Sequence, residues 1–133
     1  RCNDPPPMLD GPGTVRAWFD AMSREDTAGM LALMAPDVLL VPARGAGRGR
    51  YEGHDGVARF LEQTREQFGD VAWHCRIDSV EELPDGRTVC AGRNIGLEID
   101  FVALHEFAID GRIALARHFY GSDLETLKLI GRV

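Results

Sequence analysis

The sequence predicts an α+β domain in which helices come first and a bent antiparallel sheet follows. Two observations carry this. Apolar residues recur at i, i+3 and i+4 through residues 14–35 and again through 55–68, whereas beyond residue 71 they alternate with period two. Turn dipeptides at Asp85-Gly86 and Asp110-Gly111 then divide the second half into paired strands. A run of helices before a run of strands lays the helices on one face of a sheet, rather than between parallel strands.

The elements follow in order. Residues 1–13, "RCNDPPPMLDGPG", are rich in Pro and Gly without periodicity, and read as a flexible leader to a single domain spanning 14–133. In "TVRAWFDAMSRED", Val15, Trp18, Phe19 and Met22 share a helical face, with Thr14 as N-cap. A second short helix in "DTAGMLALMAPDV" is capped by Asp26 or Thr27 and ended by Ala35-Pro36. "VLLVP" (38–42) is a strand, and the Gly/Arg run 43–53 is a solvated loop lacking GxGxxG or GxxxxGK. A third helix starts near residue 55, its apolar stripe formed by Val57, Phe60, Leu61, Thr64 and Phe68. Asp55 sits where a carboxylate meets the positive helix end, so "GHDG" reads as a helix start and His54 as its neighbour rather than a catalyst. Strands flank Pro84-Asp85-Gly86 and Asp110-Gly111, and "SDLETLKLIG" closes with a short capped segment.

Composition narrows the function. The chain has 133 residues, enough for one core, with 44% hydrophobic and 27% charged residues. A formal charge of −6 disfavours a nucleic-acid partner, which selects basic surfaces. No apolar run reaches the roughly 18 residues of a membrane span. Cys2, Cys75 and Cys90 are odd in number and lack CxxC spacing, which argues against zinc and a disulfide framework and favours a reduced, cytoplasmic setting.

The second Asp-Gly turn permits a register argument. With Asp110-Gly111 as a two-residue turn, Ile109 faces Arg112, His105 faces Ala116 and Ala103 faces His118. Phe101, Ala103, His105, Phe107 and Ile109 then share a face with Ala114, Ala116, His118 and Tyr120. Two imidazoles become diagonal neighbours on an apolar wall, with small alanines leaving room beside them, as a ligand pocket requires. The opposite face, Val102, Leu104, Ile113, Leu115 and Phe119, is apolar as well, so a slip of one residue would turn the histidines outward.

"VRAWFDAMSREDTAGMLALMAPDVLLVP", "YEGHDGVARFLEQTREQF" and "FAIDGRIALARHFYG" resemble the SnoaL-like branch of the nuclear transport factor 2-like superfamily, from about Thr14 to Tyr120. The resemblance implies a cystatin-like cone: a bent sheet wraps three helices and the pocket opens at the wide end. It also maps residues. The ketosteroid isomerases' first-helix tyrosine, strand aspartic acid and catalytic base fall on Trp18, His105 and Val41, and valine cannot take a proton, so that mechanism is lost. The polyketide cyclases' histidine and aspartate fall on His105 and His118. The epoxide hydrolases' Arg-x-Asp pair is half kept, as Arg93 with Ile95; the dehydratases' aspartate and histidine fall on Ser23 and His74.

These readings give a small cofactor-independent enzyme of cyclase, isomerase or dehydratase type, without a metal, acting on a mostly apolar carbonyl compound. His118 and His105 are its expected acid/base pair, sharing one proton near neutrality, and Arg93 its anion stabiliser. The expected ligand contacts are Trp18, Val41, Phe60, His74, Phe101, Ala103, Ala116 and Tyr120. The alternatives are a non-catalytic binder of apolar molecules and a dimerisation module. In each case a homodimer through the outer sheet face, where Leu115 and Phe119 lie, is the expected assembly.

Overall fold

The structure, a computed structural model, describes residues 9–42 and 49–120, apart from the side chains of 71, 72 and 120. Most of the expected leader, the 43–48 part of the Gly/Arg loop and the closing segment "SDLETLKLIG" therefore lie outside the described residues.

Asp10, not Thr14, caps the first helix. Its carboxylate accepts from Gly13 N at 2.7 Å, and α1 runs Gly11–Ser23 with Pro12 in its first turn, where a missing N–H costs nothing. Residues 11–13 thus belong to the helix and not to a leader, and Thr14 is a buried residue of its inner face. The expected stripe holds: Val15, Trp18, Phe19 and Met22 are all buried. Asp26 caps α2 (Thr27–Ala32) by accepting from Gly29 N at 2.9 Å.

Strand β1 (Met34–Val41) starts four residues before the expected Val38 and contains Ala35-Pro36, which was expected to end the helix. Pro36 has no N–H for a ladder, and the pairing of β1 is irregular between Met34 and Leu39, as a proline inside a strand requires. The two-residue β2 (Tyr51–Glu52) leads directly into α3 (Gly53–Phe68). Glu52, not Asp55, is the N-cap of α3 and makes no side-chain capping bond; the helix starts at Gly53, two residues before the expected start near 55, and Asp55 lies inside its first turn. His54 donates from Nε2 to the Met34 carbonyl at 2.9 Å, tying the start of α3 to β1. "GHDG" is thus a helix start fastened to the sheet.

After a 3-10 turn (Gly69–Trp73) come β3 (Cys75–Glu82), β4 (Thr88–Asn94), β5 (Ile99–Phe107) and β6 (Ile113–Tyr120). Sheet order is β2-β1-β6-β5-β4-β3, antiparallel throughout except for the parallel β1–β6 pair. Ladder irregularities in β1–β6, β3–β4 and β5–β6 supply the extra bend that β-bulges give a sheet. The inner face closes on the helices in one core that includes Val15, Trp18, Phe19, Met30, Met34, Leu40, Val57, Phe101, Ala103 and Ala116. On the outer face Val89, Val102 and Leu104 form a second, smaller cluster with Phe119.

Gly92, on the inner face of β4, lies so close to the Arg76 carbonyl and the Phe101 ring that no Cβ fits there. The β3–β4 ladder at this point requires glycine.

Candidate active site

The β5–β6 hairpin delivers the two imidazoles. The observed register pairs His105 with Ala116, Ala103 with His118 and Phe101 with Tyr120, as the turn argument expects. The turn itself is different. Ala108 N donates to Arg112 O at 2.8 Å and Gly111 N to Ala108 O at 2.9 Å, so the loop has three residues, closed by Gly111 at φ 88°. That offset of one is cancelled further along, where the ladder slips between Glu106 and Phe107. Two deviations of opposite sense leave the histidines in place. They do not spare the ends: Ile113, expected on the outer face, is fully buried in the inner core, and Ile109, expected inside, is fully exposed.

His105 and His118 have ring centroids 6.0 Å apart. Trp18 from α1 stands edge-on to His118 at 6.0 Å, and Phe19 lies 6.3 Å from each imidazole and 5.5 Å from Phe101. The surroundings are carbon. His105 is 0% exposed and Trp18 1%, whereas His118 is half-buried, so His118 is the imidazole nearer to access.

Polar atoms inside this shell lack partners. Both ring nitrogens of His105, His118 Nε2, Trp18 Nε1 and Thr88 Oγ1 are buried without a hydrogen bond. Each such group costs about 1–3 kcal/mol when left unsatisfied, so a cluster of them is a feature that folding alone does not favour. Burial also removes the imidazolium's hydration. It pushes His105 down to about 3, with His118 beside it adding a like-charge penalty, and pushes His118 down to about 4. The expectation of one shared proton near neutrality is therefore corrected: both rings are neutral at pH 7, each with one N–H donor and one lone pair.

Of the other expected contacts, Trp18, Phe101, Ala103 and Ala116 surround the pair on the inner face. Four residues do not. Arg93 faces Asp100 across β4–β5 and donates to its carboxylate at 2.8 Å, on the face opposite Cys90 and Gly92. It is turned away from the imidazoles and is no anion stabiliser for them. Val41 pairs with exposed Arg117, and its neighbour Leu40, fully buried opposite Ala116, takes the inward place. His74 is exposed at the entry to β3. Phe60 packs on the core from α3, against Tyr51 at 5.2 Å, rather than on the histidines. The Tyr120 side chain lies outside the described residues.

Two inner residues escaped the sequence reading. Phe19 was assigned only to the core, yet it is the ring in contact with both imidazoles. Thr88 faces His105 directly across β4–β5. The β4–β5 connection carries no two-residue turn signal from which that register could be counted. Among the described residues no three His, Cys, Asp or Glu side chains gather to hold a metal, and no helix is long and apolar enough to cross a membrane. A surface groove of about 400 Å³ between α2, α3 and the 3-10 turn, lined by Leu61, Arg65 and Trp73 among others, contains none of the expected site residues.

A bent sheet wrapped over three helices, with polar side chains meeting inside it, defines the cystatin-like, nuclear transport factor 2-like class of α+β domains. The SnoaL-like domain profile matches residues 15–116, and the chain belongs to that family. A nuclear transport factor 2-like protein of unknown function from Burkholderia pseudomallei superimposes with a TM-score of 0.67 at 25% identity, over 92% of this chain and 98% of that one. A SnoaL-like protein of unknown function from Burkholderia thailandensis gives 0.69 at 20% identity, over 80% and 90%. A provisionally named polyketide cyclase from Pseudomonas putida gives 0.64 at 21% identity, over 86% and 93%. No curated protein matches the sequence significantly.

Proposed function

We propose that the protein is a cofactor-independent acid/base enzyme acting on a neutral, mostly apolar carbonyl compound, with His118 as the base and His105 as a hydrogen-bond donor. The observation that carries this reading is the pair of neutral imidazoles 6.0 Å apart within an aromatic shell, with both nitrogens of His105 and Nε2 of His118 buried without a partner. An ordinary core histidine is hydrogen-bonded. Membership of a family that includes a provisionally named cyclase among its structural neighbours is consistent with it.

The chemistry follows from the protonation states. His118, the less depressed and less enclosed of the two rings, offers its lone pair to a proton alpha to the carbonyl. The C–H electron pair moves into the C–C bond as the carbonyl π pair moves onto oxygen. That oxygen accepts hydrogen bonds from a His105 N–H and from Trp18 Nε1–H, buried donors that no protein group engages. The imidazolium formed at His118 is stabilised by the enolate beside it, a pairing that exists only while substrate is bound. Return of the proton to another atom gives isomerisation, loss of a β-hydroxyl gives dehydration, and attack of the enolate carbon on a second carbonyl gives ring closure. The inner face carries no fixed charge among the described residues, which favours an uncharged substrate.

The test has two stages. Native mass spectrometry of the purified protein identifies the small molecule it carries, and that compound and its congeners are then assayed for turnover. Replacement His118→Asn is expected to lower kcat by about 10²–10⁴-fold with little effect on binding. Unchanged turnover removes His118 from the mechanism. The enclosed, carbon-lined interior favours one second reading, a non-catalytic binder, and recovery of the carried molecule unaltered after prolonged incubation supports that reading instead.

A further inference from the structure

We propose that Thr88 is a positioning residue for His105: its hydroxyl donates to the nearer ring nitrogen and so forces the single imidazole proton onto the nitrogen facing the site. This rests on the imidazole pair described above, but concerns how His105 is held and not whether turnover occurs.

Thr88 opens β4 directly opposite His105, and both side chains lie on the inner face. Directly opposed residues have Cβ atoms about 4.5–5.5 Å apart, close enough for a hydroxyl and an imidazole to meet through small side-chain rotations. Both are 0% exposed, and Thr88 Oγ1 and the two His105 nitrogens are without partners. Buried hydroxyls and imidazoles are nearly always satisfied, and each of these lies opposite an unpartnered group able to satisfy it. Across the hairpin, the position opposite His105 on β6 is Ala116, which has no polar side chain to offer. The room around Oγ1 is itself conserved by the backbone of α1: a Cβ on Gly11 would stand 2.6 Å from Oγ1 and 3.0 Å from the Phe107 ring.

A neutral imidazole has two tautomers, and they present opposite faces to a ligand: one a donor, the other an acceptor. The donor role of His105 needs one of them held. A threonine hydroxyl that donates to the near nitrogen does this, because that nitrogen must then be the unprotonated one.

Nitrogen-15 NMR of the histidine side chains reads the tautomer directly, without substrate. Wild-type protein and Thr88→Ser are expected to show His105 as one dominant tautomer, with one pyrrole-like and one pyridine-like nitrogen. The near-isosteric Thr88→Val is expected to give intermediate, exchange-averaged shifts at both nitrogens and to melt at a lower temperature, with both effects reversed in Thr88→Ser. Averaged shifts in the wild type overturn the proposal without recourse to any variant. So does a Thr88→Val spectrum identical to wild type, or a rise in its melting temperature, which would mark an unpaired hydroxyl removed rather than a hydrogen bond lost. A fixed tautomer together with full turnover in His118→Asn would remove His118 from the mechanism and leave the placement of His105 by Thr88 standing.

Discussion

His105 and Arg93 show how far residue type alone misleads about a role. Both carry groups suited to stabilising an oxyanion, yet alternation along two neighbouring strands turns one inward and the other outward. Arg93 finds Asp100 on a face where solvent screens the pair, and exposed pairs of this kind contribute about 0–1 kcal/mol. Arg93→Ala is therefore expected to leave turnover within twofold of wild type and to shift stability by less than about 1 kcal/mol, as measured by urea titration. His105 has no such exit. Its ring is enclosed by Phe19, His118 and its own strand, so its chemistry at neutral pH is that of a neutral donor and acceptor.

At the scale of elements, the site depends on how closely α1 lies against the sheet. Asp10 begins the helix early enough to bring Gly11 onto the Thr88 and Phe107 side chains, and the absence of a side chain at 11 sets the spacing. Gly11→Ala adds a methyl group 2.6 Å from the fully buried Thr88 hydroxyl and 3.0 Å from the Phe107 ring. Overpacking of this sort costs about 1–3 kcal/mol, and the helix-propensity gain of alanine over glycine, about 1 kcal/mol, offsets only part of it. Thermal denaturation is expected to show a net loss; a more stable variant would mean that α1 sits further from β4. The β5–β6 hairpin shows the opposite tolerance. A loop one residue longer than expected and a compensating slip in the ladder together conserve the register on which the imidazole pair depends.

For the whole molecule, the buried imidazoles tie stability to pH. In the unfolded chain both rings titrate near 6.5, whereas in the fold they stay neutral down to about 4 and about 3. Between those limits the unfolded state binds more protons than the native one. Stability is then fully present above pH 6.5, falls as the pH drops below it, and stops falling on their account once the folded values are passed. The slope is about 1.4 kcal/mol per pH unit for each histidine. Chemical denaturation from pH 8 to pH 4 is expected to give a flat upper region and a steep acid limb. His105→Gln with His118→Gln should flatten that limb. A limb unchanged in the double variant would assign the acid sensitivity to other groups.

The sequence alone determined the order of elements, because helical and strand periodicities are properties of consecutive residues. It also brought His105 and His118 to one face as diagonal neighbours, although the two-residue Asp-Gly turn from which that was counted is a three-residue loop whose offset a slip in the ladder cancels. Thr14 as a cap, the end of the second helix at Ala35-Pro36 and the inward place of Val41 did not survive, since capping and strand entry depend on which partner each backbone group finds. Thr88, Phe19 and the outward turn of Arg93 were decided only by tertiary structure. Their positions come from the β4–β5 register and the seating of α1, contacts between segments far apart in the chain. The protonation state was likewise decided there: an imidazole's affinity for a proton depends on the water and charge around it, and the fold removes the water without supplying the charge.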